Sequence, residues 1–201
     1  MQPKRDAERD PKRDIVTPLR AVRLEPARAS AIPAWCDAVV EAQDRWLVLG
    51  QGPTRAETDP EGYADDLALT SVDALLEAAA ASSAAEPGSV LMRRTRPLRL
   101  LAVVHDLEAE VTTRPEWTQQ ALDTLARLTS RTSLRGIALP VLGPKRSDTD
   151  LEGFGEMLAD SLVVHGPARL RIALLLAPER AALVARAMRE TAPELTVRFE
   201  S

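Results

Sequence analysis

The apolar run Leu98–His105 constrains the fold of this chain more than any other stretch. Its centre, Leu100-Leu101-Ala102-Val103-Val104, carries no polar residue on either face. A strand of this kind is covered on both sides, as in the largely parallel sheets of α/β proteins. The run therefore predicts a central strand with a layer of structure on each face.

Strands and helices alternate along the C-terminal half of the sequence. Hydrophobic periodicity predicts helices at Asp65–Ser83, Pro115–Thr129 (with Thr113 as a cap), Leu151–Val164 and Pro178–Thr191. It predicts further strands at Leu19–Leu24, Asp37–Val40, Ser89–Met92, Ile137–Leu142, Leu170–Leu176 and Leu195–Phe199, the last at a sheet edge. This order predicts an α/β fold of three layers (α/β/α) around a mixed, largely parallel central sheet.

Composition limits the kinds of partner and site. We expect a disordered charged tail over residues 1–16, because it cannot bury enough apolar surface to become ordered, and one domain over residues 17–201. The formal net charge of −4 disfavours a nucleic-acid partner. A single cysteine, Cys36, and two histidines disfavour a disulfide and a zinc site. No run is long enough to span a bilayer and no apolar leader is evident, so we expect a cytoplasmic protein with no membrane contact. We also expect no cofactor.

Four stretches carry a resemblance to a known family. They are Asp37-Ala38-Val39-Val40, Leu49-Gly50-Gln51-Gly52, Pro87–Val90 followed by Leu98–His105, and Gly136–Gly143. In this order they resemble the D-A-I-V strand, the Gly-rich first loop, the P-x-G-x-V strand with the strand ending V-I-H, and the S-I-A-F-P-A-L-G strand of macro domains. The chain therefore resembles a macro domain; the N-terminal domain of leucyl aminopeptidases has a related fold.

The resemblance implies an ADP-ribose site at the carboxyl ends of the strands. The phosphate-binding residues that it implies are Gly50, Gln51 and Gly52 in the first loop and Gly143, Lys145, Arg146 and Ser147 in the second. Glu25 would be the acidic residue on the adenine side. Pro144 offers no N–H group, and Lys145 stands where the family usually has glycine. The side chains of Lys145 and Arg146 would then replace backbone donors, or both are solvated turn residues.

The segment after Val40 departs from the family pattern. Where the family usually has the two asparagines of N-A-A-N, this chain has Glu41 and Asp44. Two carboxylates would repel a diphosphate, whereas either one could act as a general base if burial raised its pKa. We favour a third interpretation, in which the segment is the surface-facing start of a helix or loop on a domain that has lost its ligand.

Other candidate residues have simpler interpretations. His105 is expected to be a hydrogen-bonded core residue, and Cys36 a small buried side chain. The basic turn Arg93-Arg94-Thr95-Arg96-Pro97 is expected to be an exposed hairpin, with binding of an anion or an acidic partner as the alternative.

The sequence as a whole predicts a divergent macro-domain-like binding or interaction module with a degraded ADP-ribose site. We expect it not to be a catalyst, because both asparagines are replaced. The alternative is retained binding of ADP-ribose or another nucleotide-like phosphate ligand, with or without ADP-ribosyl hydrolase activity. A protein partner or self-association, through the edge at Leu195–Phe199 or the apolar helix faces, is a further alternative.

Overall fold

The computed structural model describes residues 20–47, 84–109, 112–132 and 134–200. Predictions for the charged tail, for Gly50, Gln51 and Gly52 of the first loop, and for the helix Asp65–Ser83 fall outside these residues.

Seven strands form one mixed sheet in the described part of the chain. They are β1 (Arg20–Pro26), β2 (Ala38–Asp44), β3 (Val90–Arg93), β4 (Leu98–His105), β5 (Gly136–Leu139), β6 (Arg169–Leu174) and β7 (Leu195–Phe199). Their order in the sheet is β3-β4-β2-β5-β6-β1-β7, and of these only β3 runs antiparallel to its neighbour. The predicted α/β fold with a largely parallel sheet is confirmed, and β7 lies at an edge as expected.

Three helices are described: α1 (Pro115–Arg131), α2 (Asp148–His165) and α3 (Pro178–Thr191). Helices α1 and α3 begin with proline in the first turn, where its missing N–H group is not needed. Helix α2 begins at a capping box formed by Ser147 and Asp150. No helix in the described part of the chain is both long and apolar enough to cross a bilayer.

The helices pack on one face of the sheet, where alternate strand residues form a core with Leu122, Phe154 and Val184. On the other face, the described residues form a smaller apolar cluster in which Cys36 and Val39 pack against Trp35. Burial raises the pKa of the Cys36 thiol to about 11, so the thiol is protonated at neutral pH. This state fits the prediction of a small buried side chain.

Two predictions about the strands are wrong. The segment from Glu41 to Asp44 is not the start of a helix or loop: it continues β2, because its backbone pairs in parallel with β4 as far as His105. Strand β5 ends at Leu139, before the predicted Leu142, and the next residue is Pro140, which has no N–H group with which to extend a ladder.

Candidate functional site

The carboxyl ends of β4, β2 and β5 are neighbours and bring five of the predicted site residues to one end of the sheet: Asp44, Gly143, Lys145, Arg146 and Ser147. We call this end of the sheet, with the loop 143–147 that follows β5, the carboxyl edge. The term refers to the end at which these strands stop and not to the outer strands β3 and β7. Four polar residues are buried at the ends of β2 and β4: Gln43, Asp44, His105 and Asp106. Ligands of open α/β sheets bind at edges of this kind.

Asp44 holds the turn by which the chain leaves β2. Its side chain is fully buried and accepts a hydrogen bond from the backbone N–H of Trp46. The next residue, Arg45, forms an ion pair with Asp106 at 3.1 Å, and its backbone N–H donates to the carbonyl of His105. The ends of β2 and β4 are therefore fastened together by backbone and side-chain contacts.

His105 supports the loop that precedes α1. Its Nδ1 atom lies 2.6 Å from the hydroxyl oxygen of Thr113, and its side chain is almost entirely buried. Thr113 is not the cap predicted for α1: the N-cap residue is Arg114, and it makes no side-chain cap bond. The contact with Thr113 agrees with the structural role predicted for His105.

Glu41 lies within β2, opposite Leu101 of β4, rather than at the end of the strand. Its carboxylate forms a two-bond ion pair with the guanidinium group of Arg99, with one N···O distance of 2.7 Å. The hydrogen bond to Glu41 raises the pKa of Arg99 further. Cross-strand pairing thus accounts for the carboxylate at position 41.

The loop after β5 is anchored from both sides. Gly143 has a φ of +91°, and a Cβ atom there would lie 2.9 Å from the hydroxyl oxygen of Thr118 on α1. Glycine is therefore required both by the backbone conformation and by the space. On the other side, the guanidinium group of Arg180, in the first turn of α3, donates to the carbonyl oxygen of Lys145.

Asp150 engages the last two backbone N–H groups of the predicted phosphate loop. Its carboxylate oxygen Oδ2 accepts from the N–H groups of Arg146 and Ser147, each at 3.0 Å. The Ser147 hydroxyl accepts in turn from the N–H of Asp150 at 3.1 Å. The hydrogen bond from the Ser147 backbone to the carboxylate, assisted by the one from the Arg146 backbone, holds the pKa of Asp150 below its usual value. A carboxylate of the chain itself thus accepts from two N–H groups of the loop that the sequence predicts to bind phosphate.

Glu25 lies near the end of β1 and is engaged on the second face of the sheet. It accepts a hydrogen bond at 2.8 Å from Arg171, whose guanidinium group stacks 4.0 Å from the centre of the Trp35 ring. In the sheet order, β1 is separated from β5 by β6. Glu25 is therefore the ion-pair partner of Arg171, on a strand that does not adjoin β5.

Three contributors to the edge escape prediction from sequence: Asp150, Arg180 and the pair of Arg45 with Asp106. The pattern Ser147-x-x-Asp150 before an apolar stretch is a capping-box signature and could have identified Asp150. No pattern indicates the other contacts, since they join residues distant in sequence. Within the described ranges, no cluster of three or more His, Cys, Asp or Glu side chains could hold a metal ion.

Comparison with known proteins identifies the fold. No protein-family profile matches the sequence, and no curated protein matches it. Among solved structures, a single-residue mutant of the Oceanobacillus iheyensis macrodomain aligns with a TM-score of 0.55 at 11% identity, covering 83% of this chain and 90% of that one. The macro domain of ganglioside induced differentiation associated protein 2 aligns with a TM-score of 0.51 at 11% identity, covering 87% and 85%.

A third match is the Trypanosoma brucei macrodomain in complex with ADP, with a TM-score of 0.50 at 16% identity, covering 85% of this chain and 70% of that one. Identities this low carry information about the fold alone. The chain has the macro-domain fold, which confirms the resemblance drawn from the four sequence stretches.

Proposed function

We propose that this chain is a non-catalytic binding module of macro-domain fold whose ADP-ribose site is degraded. The observation that carries the proposal is the Asp150 carboxylate on the N–H groups of Arg146 and Ser147. A diphosphate placed on the same loop would have to displace a carboxylate that already bears a negative charge. Pro144, which has no N–H group, removes a further donor.

The two candidate bases have structural partners. Glu41 is paired with Arg99 within a strand, and Asp44 is buried against the backbone of Trp46. A general base must reach the proton that it abstracts, directly or through one water molecule. These contacts support the non-catalytic part of the proposal.

Replacing Asp150 tests the proposal directly. In the Asp150→Ala variant, two backbone N–H groups become available and one negative charge is removed. At about 1 kcal/mol for each hydrogen bond, we expect ADP-ribose to bind roughly ten-fold or more tightly than to the parent chain, where binding should be millimolar or weaker. Isothermal titration calorimetry with ADP-ribose measures both affinities.

Asp148→Ala is the matched control. Asp148 lies in the same first turn of α2, is exposed, and makes no hydrogen bond to the loop in the described part of the chain. An equal gain of affinity in both variants would show that Asp150 acts only through its negative charge and not through its hydrogen bonds to the loop. Micromolar binding to the parent chain would contradict a degraded site.

The Asp150→Ala variant should also differ from the parent chain in its free energy of unfolding. Loss of the capping box should lower the free energy of unfolding by about 1 kcal/mol at neutral pH. Because the pKa of Asp150 is lower in the folded state, its contribution is present above the unfolded pKa and is lost as pH falls through the folded one. Urea unfolding of parent and variant should therefore converge as pH falls below about 4.

A second candidate function is retained binding of ADP-ribose or another nucleotide-like phosphate ligand. Cationic side chains favour it: Lys145 and Arg146 follow β5, and Arg180 donates to the Lys145 carbonyl at the same loop. Two structures of similar fold carry such ligands, the Trypanosoma brucei macrodomain with ADP and an Oceanobacillus iheyensis macrodomain mutant with ADPR. In this case the side chains would bind the phosphates and leave the N–H groups to Asp150.

Under this second candidate, the double variant Lys145→Ala, Arg146→Ala should lose about 1.5–3 kcal/mol of binding free energy for each charged hydrogen bond removed. Calorimetry against ADP-ribose measures the loss. Unchanged affinity in the double variant would end the phosphate-binding role of these side chains, and absence of heat at millimolar ligand in the parent would end the second candidate itself.

A further inference from the structure

The opposite end of the sheet, where β4, β5 and β6 begin, is strongly basic. We call this end of the strands the basic edge. Five exposed arginines lie there: Arg93, Arg94 and Arg96 in the basic turn that joins β3 to β4, Arg135 before β5, and Arg169 at the start of β6. This concentration contrasts with the net charge of −4 of the whole chain. The charge of this edge is therefore local.

These arginines differ in their contacts from five other arginines of the described residues. Elsewhere, Arg23, Arg45, Arg99, Arg171 and Arg186 each pair with a carboxylate. Within the residues that the structure describes, none of the five at the basic edge forms an ion pair. Clustered cations without counter-charges repel one another and attract an acidic partner.

An apolar groove of about 490 Å³ adjoins the basic turn. One wall is formed by residues 32–34, 36 and 37 and the other by residues 95–98, with Ile32, Pro33 and Leu98 among the apolar side chains and Arg96 among the lining residues. Asp37, the only acidic residue in the described lining, uses its carboxylate to accept from the N–H groups of Arg135 and Gly136. The groove thus joins an apolar floor to a cationic border.

The turn that carries these cations has a defined shape. The hydroxyl of Thr95 donates to the carbonyl of Pro97 at 2.6 Å, and the backbone N–H of Thr95 donates to the carbonyl of Arg93 at 2.9 Å. A fixed turn presents its arginines with a smaller loss of conformational entropy on binding. Beside it, β3 exposes Leu91 and Met92, which are 38% and 50% accessible.

We propose that the basic edge binds an acidic segment of a partner protein, with an apolar side chain of the segment in the groove and its carboxylates on the arginines of the turn. Charge complementarity selects an acidic ligand, and the apolar lining selects a peptide over a nucleic acid. Among the described residues that line the groove, there is no aromatic side chain on which a base could stack. The proposal does not depend on the fate of the ADP-ribose site.

Fluorescence anisotropy tests the proposal with a labelled Glu-rich peptide that carries a single central Leu. We expect the intact chain to bind it, and the Arg96→Glu variant to bind it about ten-fold more weakly, because an attraction becomes a repulsion. Replacing the central Leu by Gly in the peptide should also weaken binding. The matched control is Arg198→Glu, an equal charge reversal at an exposed residue of β7, which should leave the affinity unchanged.

Circular dichroism first establishes that both variants are folded. Equal losses in Arg96→Glu and Arg198→Glu, or insensitivity to the central Leu, would overturn the proposal in favour of non-specific attraction. Tighter binding of a single-stranded oligonucleotide than of the peptide would overturn the choice of ligand, and no binding of the peptide would overturn the site.

Discussion

Phe154→Ala is expected to lower the free energy of unfolding by about 3–5 kcal/mol, the usual range for removing a buried aromatic ring. Phe154 lies in α2, is 1% exposed, and is the largest fully buried side chain of the described residues. It belongs to the core between the helices and the sheet, so its truncation would both lose buried apolar surface and leave a cavity. Urea unfolding followed by circular dichroism measures the change.

Val164→Ala in the same helix provides the comparison. The side chain of Val164 is 64% exposed. Its truncation should therefore change the free energy of unfolding by no more than about 0.5 kcal/mol, as is usual for surface positions. If Phe154→Ala were as mild as Val164→Ala, the packing of α2 on the sheet would have to be looser than the burial of Phe154 indicates.

Gly155→Ala is expected to destabilise the chain by about 1–3 kcal/mol, although alanine is the better helix former. A Cβ atom at position 155 would lie 2.8 Å from the carbonyl oxygen of Val184 and 2.9 Å from the Cβ of Ala187. Both atoms belong to α3, whose close approach to α2 therefore depends on this glycine. Two rigid helices would have to separate to admit one methyl group.

Gly153→Ala, two residues earlier in α2, should have the opposite sign. A Cβ atom there meets nothing within 4 Å. Only helix propensity then remains, and we expect a gain of about 0.5–1 kcal/mol. Thermal or urea unfolding of the two variants side by side separates propensity from packing. A gain in both would show that α2 and α3 can move apart at little cost.

The fold could be predicted from sequence because its strongest signals are local. The run Leu98–His105 is apolar on both faces and forms β4, bounded by the same residues. Helices α1 and α3 start at the predicted prolines, and α3 has the predicted bounds. The prediction for β2 ended too early, at Val40, because Glu41 has the character of a surface residue. Only the structure shows that Arg99 lies beside it and pairs with it.

The candidate site was harder to predict, because its contacts are not local in sequence. The roles of its residues depend on partners far away in the chain: Glu41 and Arg99 are 58 positions apart, Arg45 and Asp106 are 61, and Lys145 and Arg180 are 35. Departures from a family pattern can be seen in sequence, but the contacts that accompany them cannot. Asp150 is the exception, since its bonds to Arg146 and Ser147 lie within one turn.

Strand β2 runs from the basic edge to the carboxyl edge, and its length has a consequence for how the two behave together. The strand has seven residues. At about 3.3 Å for each residue, a strand of this length spans roughly 20 Å, more than twice the Debye length of about 8 Å at physiological ionic strength. Charges at the carboxyl edge are therefore screened from the arginines at the opposite edge. Free-energy changes from substitutions such as Asp150→Ala and Arg96→Glu should add when combined. One end of the domain can then drift in sequence without altering recognition at the other.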